Sequence, residues 1–184
     1  MVTLGIDEVG RGSWAGPLVV GAAIITKPFR GLKDSKLYSR AEREIIYSKL
    51  IKKCESYSLG WVWPDEIDAL GLTKATILGI DRALAKISLD YDEIVIDGLF
   101  NFLPANPKVR CLIKADNLIP SVSAASVLAK VERDRYMINL ANDYQDYGFD
   151  KHVGYGTKNH QAAVKKYGIC AHHRKSYKPI ANAL

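Results

Sequence analysis

Asp7 and Glu8 close an apolar run, Val2 to Ile6, and stand just before the turn Gly10-Arg11-Gly12. A strand of that composition is normally buried, and two adjacent carboxylates at its end repel each other unless cations sit nearby. Gly10 and Gly12 leave the backbone free to adopt positive φ and to admit a ligand closely, while Arg11 supplies a forked donor suited to phosphate. Acid, glycine and arginine together suggest metal-assisted phosphate chemistry. Two further acids join the pair: Asp97, before Gly98 at the end of the run Glu93 to Asp97, and Asp116, just past the run Val109 to Ala115. In open α/β sheets ligands bind at the carboxyl ends of the strands, where residues distant in sequence converge. Clustered carboxylates call for cations, and two divalent ions about 3.5–4 Å apart both neutralise them and clamp an in-line phosphoryl displacement. Oxygen ligands favour Mg²⁺ or Mn²⁺ over zinc. Taken singly, Asp97 and Asp116 each fit an ordinary Asx turn; the set of four at strand ends is what points to metal.

The elements that must position these acids are legible from periodicity. Val2 to Asp7 and Leu18 to Thr26 read as buried strands, the second apolar enough to be central. Ser39 with Glu42 forms a capping box for a helix running to about Cys54, and Tyr57 to Trp63 alternates as a strand. Pro64 to Leu70 predicts a short helical turn stopped by Gly71, after which Thr73 caps a helix carrying Ile77, Ile80, Leu84 and Ile87 on one stripe. Both helices are expected to cover a sheet. Strands over 93–97 and 109–115 each deliver an acid at their end, and a long helix from about Ser121 to Tyr144 opens on small residues that permit close packing. The pattern is α/β, with a mixed central sheet flanked by helices.

The chain has 184 residues with a hydrophobic fraction of 48%, enough for one well-buried domain, and a single domain over 1–184 is expected. Its net charge of +6 is uneven: residues 151–184 contain seven Lys or Arg and no Asp or Glu, leaving the first 150 at −1. All four histidines fall in this tail, interleaved with Tyr155, Tyr167 and Tyr177. Such a surface suits a nucleic-acid contact, in which cations neutralise phosphates and rings pack on sugars or bases; a solvated basic helix face fits the composition equally. Cys54, Cys111 and Cys170 are widely spaced and outside any CxxC pattern, so neither a disulfide framework nor a structural zinc site is indicated, and a cytoplasmic location fits. The longest apolar stretch, Pro17 to Ile25, is too short to cross a bilayer, and the amino terminus lacks a signal peptide's basic start, so no membrane association is expected.

Several motifs in order carry a resemblance. Gly5 to Gly12, Ala15-Gly16-Pro17, Lys33-Asp34-Ser35-Lys36, Ile96-Asp97-Gly98, Lys114-Ala115-Asp116 and Ser123 to Val131 with Arg133-Asp134 resemble those of ribonuclease HII, the prokaryotic type 2 ribonuclease H. Gly154-Tyr155-Gly156-Thr157 and His173 to Tyr177 with Pro179 resemble the carboxyl-terminal motifs of its bacterial branch. The resemblance implies a ribonuclease H-like sheet with a carboxyl-terminal helical, basic extension that binds substrate. It implies an endonuclease requiring two divalent ions, Mg²⁺ or Mn²⁺, that hydrolyses RNA in RNA/DNA hybrids and cuts 5′ of ribonucleotides embedded in duplex DNA. Products carry 5′-phosphate and 3′-hydroxyl ends, and the activity serves ribonucleotide removal, DNA replication and repair.

By the same resemblance Asp7, Glu8, Asp97 and Asp116 are the catalytic metal ligands. Asp7 bridges both ions, Glu8 and Asp97 hold the ion facing the leaving group, and Asp116 holds the ion that activates water. Gly10, Arg11 and Gly12 form the loop that reads the 2′-hydroxyl largely through backbone groups, and Tyr155 packs on the sugar following the ribonucleotide. Asp34, Ser35 and Lys36 belong to a phosphate-contacting loop, and Ser126, Lys130 and Arg174 are further expected substrate contacts. Two positions depart from the family pattern. Ser13-Trp14 replaces a Pro followed by a small or aliphatic residue, which bears on how the recognition loop meets the minor groove, and Ala115 replaces a common Gly. The ribonuclease HIII type, with its additional amino-terminal domain and without Arg at position 11, fits less well.

Other polar clusters are assigned no chemistry. His172 and His173 are expected to face phosphate or solvent, Trp61 and Trp63 to pack at the core or its rim, and Cys111 to be an inert thiol inside a strand. Glu132, Arg133, Asp134 and Arg135 suit either phosphate contact or a salt-bridged helix face, and Lys130 shares that ambiguity. A monomer is expected, since no apolar seam is present. Two other functions remain open from the residues: a hybrid-binding module without turnover, and a metal nuclease cutting DNA junctions.

Overall fold

The computed structural model describes residues 1–27, 29, 32 and 38–183; Asp34, Ser35 and Lys36 lie outside the described residues. Five strands form one mixed sheet in the order β3-β2-β1-β4-β5. The central strand β1 (Thr3–Val9) runs antiparallel to β2 (Leu18–Ile24) and parallel to β4 (Glu93–Asp97). Outside them, β3 (Ser56–Val62) pairs antiparallel with β2, and β5 (Val109–Leu112) parallel with β4. β2 is buried along its whole length, as an unbroken apolar run in a two-face-covered strand should be. The parallel register runs from Thr3↔Glu93 to Ile6↔Ile96. Its next step sets Asp7 beside Asp97 at the carboxyl edge of the sheet.

Both faces are covered by helices that approach unusually closely, because glycines face them. Helix α1 spans Arg40–Lys53, α2 Pro64–Leu70, α3 Leu72–Leu84 and α4 Pro120–Asp143. On one face α3 buries Ile80 and Ala83 against Leu4, Ile6, Val20 and Ile96, and a Cβ at Gly60 would stand 1.8 Å from the Gly79 carbonyl oxygen. On the other, α4 lies so near that a Cβ at Gly5 would stand 2.1 Å from the Val122 nitrogen and one at Gly21 2.3 Å from the Ala125 oxygen. The small residues Ser121 to Ala125 allow this approach. Helix α1 packs outside α4, with Leu50 against Val127, Leu128 and Val131. Its capping box forms as expected, Glu42 N–H donating to Ser39 Oγ at 3.3 Å and Ser39 N–H to Glu42 Oε2 at 2.7 Å.

Two local expectations change. α3 starts at Leu72, capped by Gly71 and not by Thr73. Gly71, at φ 74°, ends α2 and opens α3 in one residue, a conformation that a threonine two positions later cannot supply. β5 ends at Leu112, three residues before the expected boundary, because Ala115 N–H donates to Asp97 Oδ1 at 2.7 Å instead of continuing the ladder. Lys114 then turns left-handed (φ 56°), and Asp116 sits on a single 3-10 turn, Ala115–Asn117.

The tail folds into α5 (Phe149–His152), α6 (Lys158–Tyr167) and α7 (Lys178–Ala181). Phe149, Ala163, Val164 and Ile180 bury against Ala15 and Met137, and isolated bridges join Ser13 to Tyr155 and Ala15 to His173. The basic extension is therefore stitched to the turn that follows β1. Among the described residues no helix is long and apolar enough to cross a membrane.

Candidate active site

A cleft of about 420 Å³ opens at the carboxyl edge of β1 and β4, lined by Asp7, Glu8, Asp97, the Gly10-Arg11-Gly12 turn, and Ser126, Lys130 and Tyr155. Strand alternation places Asp7 on the α4 face with Gly5, and Glu8 on the opposite face with Leu4 and Ile6. At the strand's end both still border the same opening. Asp116, the fourth expected acid, is buried beside it and lines a separate hollow of about 80 Å³ with Ser123 and Pro120. The hydrogen bond from Ala115 N–H to Asp97 links that turn to the cleft. The fold thus gathers three acids around one opening and tethers the fourth next to it.

Burial, foremost, pushes the Asp7 carboxyl up to about 8, with the negative charges of Glu8 and Asp97 adding to it and a hydrogen bond from Ser126 opposing it. Glu8 is likewise raised, first by burial and then by Asp97, against the pull of the Arg11 guanidinium, whose Nη1 lies 3.3 Å from Glu8 Oε1. Protons or cations must relieve this crowding. The donors are carboxylate oxygens alone, a set that suits Mg²⁺ or Mn²⁺. Among the described residues no three His, Cys, Asp or Glu side chains already stand in ligating positions around one point.

Arg11 lies 5.6 Å over the Phe102 ring, and its Nε is buried without a hydrogen-bond partner among the described residues. Across the opening Lys130 Nζ pairs with Asp134 at 2.8 Å and sits 5.9 Å from the Tyr155 ring, under which the Arg133 guanidinium packs at 5.5 Å. Tyr155 follows two left-handed residues, Val153 (φ 44°) and Gly154 (φ 84°). A β-branched residue there is strained, and the Val153 carbonyl is held by Arg133 Nη1 at 3.0 Å.

The family model for Ribonuclease HII matches residues 4–180. The chain belongs to the ribonuclease HII family. A Ribonuclease HII of Coxiella burnetii is 42% identical over 98% of this chain and 90% of the relative. The crystal structure of the ribonuclease H2 from Pyrococcus horikoshii OT3 superposes with a TM-score of 0.85 at 29% identity, covering 100% of this chain and 97% of that one. The fold extends to Bst-RNase HIII in complex with Mn²⁺, with a TM-score of 0.76 at 20% identity over all of this chain and 69% of that one. As a ribonuclease HII, the chain is a hydrolase of the ribonuclease H type, and its mixed sheet with flanking helices is the one that the resemblance implied.

The remaining expected residues of this chain divide between cleft and scaffold. Arg174 does not face the cleft: it is fully buried and its guanidinium bonds the carbonyls of Arg11 and Gly16, because the tail passes beneath the turn. His173 is buried as well, against the expectation of a phosphate-facing or solvated ring. His160 Nε2 and His173 Nε2 lie 3.0 Å apart, His160 Nδ1 reaches the Tyr155 carbonyl, and His173 Nδ1 accepts from Cys170 N–H. Burial brings both rings down to about 4. The Glu132 to Arg135 cluster is salt-bridged, Arg135 pairing with Glu44 and Glu132, except for Arg133, which is fully buried on the carbonyls of Pro17, Ala15 and Val153. The stripe Arg133, Met137, Leu140 held that signal, since it keeps helical spacing on a buried face. Trp14 turns away from the cleft, packs on Gly156 and His160, and lines a larger hollow of about 710 Å³ with Lys165 and Lys178 and no carboxylate. Trp61 and Trp63 stack on each other at 5.8 Å beside Tyr136, with Trp63 exposed at the rim.

Proposed function

We propose that this enzyme hydrolyses the RNA strand of RNA/DNA hybrids and cuts 5′ of single ribonucleotides in duplex DNA, leaving 5′-phosphate and 3′-hydroxyl ends. The observation that carries the reading is the meeting, in one cleft, of Asp7, Glu8 and Asp97 with the Gly10-Arg11-Gly12 turn and Tyr155. Asp7, Glu8, Asp97 and Asp116 are the ligands for two divalent ions, Mg²⁺ or Mn²⁺. When bound, such ions neutralise the carboxylates, activate the attacking water and stabilise the charge that develops on the phosphate.

The chain's own residues do the positioning. Ser126 orients Asp7 by hydrogen bond, and Asp97, by accepting from Ala115, fixes the turn that carries Asp116. The exposed backbone of Gly12 meets the ribose, whose 2′-hydroxyl distinguishes RNA from DNA. Tyr155 packs on the neighbouring sugar, and Lys130, with the exposed lysines of 151–184, neutralises duplex phosphates. Acting as a monomer in the cytoplasm, the enzyme serves ribonucleotide removal during DNA replication and repair.

The test compares a labelled DNA duplex containing one ribonucleotide with an all-DNA duplex, in Mg²⁺, Mn²⁺ and chelator. A metal-dependent cut confined to the ribonucleotide is expected. Asp97→Asn, which keeps shape and removes charge, is expected to fold and to lose at least about 100-fold in kcat. Binding without cutting in every metal would mark a hybrid-binding module, and cuts indifferent to the 2′-hydroxyl a DNA-junction nuclease.

A further inference from the structure

Arg174 is a cation buried at zero exposure that hydrogen-bonds only neutral oxygens: Gly16 O from Nε at 3.0 Å and from Nη2 at 2.8 Å, Arg11 O from Nη1 at 3.0 Å, and the Tyr177 hydroxyl from Nη1 at 2.9 Å. Removing a guanidinium from water without a carboxylate bonded to it is costly even with the Asp68 charge nearby, so the arrangement calls for a reason. The Tyr177 hydroxyl itself donates to the same Arg11 carbonyl. Two donors therefore hold one carbonyl of the turn from beneath.

The Arg11 C=O and the Gly12 N–H belong to one planar trans peptide unit and point in opposite directions. With the carbonyl drawn down toward Arg174 and Tyr177, the Gly12 N–H is turned outward. Gly12 is exposed and lines the acid cleft, a Cβ built on it meets nothing within 4 Å, and its N–H has no backbone partner among the described residues. Gly10, at the start of the turn, is closely packed as well, since a Cβ there would strike Arg133 Nε at 2.2 Å. The turn cannot relax downward, and rotation of the Arg11–Gly12 peptide would break both bonds to its carbonyl.

We infer that Arg174, with Tyr177, is a positioning residue for ribose recognition: it locks the Arg11–Gly12 peptide so that the Gly12 N–H donates to the 2′-hydroxyl of the ribonucleotide. Neither side chain touches substrate. The inference rests on the ribose-reading function proposed above. It assigns to the basic tail a second role besides phosphate contact, that of setting the orientation of a backbone donor some 160 residues away in sequence, Arg11 and Arg174 being separated by 163 positions.

The experiment measures kcat and KM on a duplex with one ribonucleotide for wild type, Arg174→Met, Arg174→Lys and Tyr177→Phe, together with the Mn²⁺ concentration for half-maximal activity and the melting temperature. Because a misplaced recognition group can cost about 100-fold in rate, Arg174→Met is expected to lose roughly 30-fold or more in kcat/KM and Tyr177→Phe roughly 3- to 10-fold. Arg174→Lys should recover part of the loss. The Mn²⁺ midpoint should not move, since the acids are untouched. Tyr177→Phe keeps the ring and loses only the hydroxyl, so it reports even if Arg174→Met does not fold. The inference is overturned if Tyr177→Phe and the Arg174 variants cut with wild-type kcat/KM, or if their losses merely track the Mn²⁺ midpoint and the melting temperature. A wild-type enzyme that ignores the ribonucleotide instead overturns the functional reading, a distinct result visible before any variant is made.

Discussion

Asp7 illustrates a conflict between stability and chemistry within one side chain. Its folded-state value of about 8 lies above the ordinary 3.8, so the folded state holds the proton more tightly than the unfolded chain does between those limits. Stability of the metal-free protein is therefore highest below about pH 4 with respect to this group and falls as pH rises through about 8. Asp7→Asn removes the buried charge and keeps one acceptor oxygen for Glu8 N–H, while its amide can donate to the Ser126 hydroxyl, which rotates to suit. In chelator at pH 8 that variant should be more stable than wild type by about 2 kcal/mol or more, with the difference vanishing near pH 4, while its activity is lost. Urea unfolding of both proteins at the two pH values checks this. Equal stability at pH 8 would mean that the carboxylate is solvated there and the case for cation demand at Asp7 fails. Saturating Mg²⁺ or Mn²⁺ should raise the stability of wild type and leave Asp7→Asn less affected.

At the scale of elements, the site depends on how near α4 comes to β1 and β2. The absence of a side chain at Gly5 is what lets Ser121 and Val122 press on the strand, and Ser126 reaches Asp7 only because the helix sits at that depth. Gly5→Ala should cost about 3 kcal/mol and lower the melting temperature by roughly 6–12 °C, because the clash is with main chain that cannot rotate away. Activity should fall with it, as the helix lifts Ser126 from Asp7. A Gly5→Ala protein with wild-type melting and activity would show that α4 has freedom to shift that the packing denies.

Considered as a whole molecule, the enzyme joins a sheet whose carboxyl edge carries the acid cleft to a tail that holds the Gly10-Arg11-Gly12 turn, and the junction contains neutral histidines. His160 and His173 share one N–H between two nitrogens 3.0 Å apart, an arrangement that fails if both are protonated. Their folded values of about 4 lie below the ordinary 6.5, so the unfolded chain takes up protons first. The stability they contribute is complete above about pH 6.5 and is lost as pH falls toward 4, on the order of 3 kcal/mol for a single ring. Because Asp7 acts in the opposite direction, the window is best read in the Asp7→Asn background, where unfolding free energy should climb between about pH 4 and 6.5, the span between the two values. A flat profile there would place the rings in solvent. Unlike the acids of the cleft, these histidines bear on the segment around Tyr155 and Ala15, through the Tyr155 carbonyl and the Ala15–His173 bridge.

Much of this was legible in the chain itself. Apolar runs ending in acids located β1 and β4 and three of the cleft's carboxylates, the Ser39 cap set the start of α1, and the ordered motifs carried the family. These are local signals, in which strand period, capping chemistry and turn residues act over a few positions. Tertiary structure alone decided the rest. That Asp116 lies on a tethered turn beside the cleft follows from a hydrogen bond to a residue 18 positions earlier. That Arg133 and Arg174 are buried follows from carbonyls more than a hundred residues away which can accept them. A charged or imidazole side chain reads as surface in a sequence because water is its cheapest partner; whether main-chain oxygens can replace that water depends on which turns the fold brings within 3 Å, and that is a property of the packed molecule.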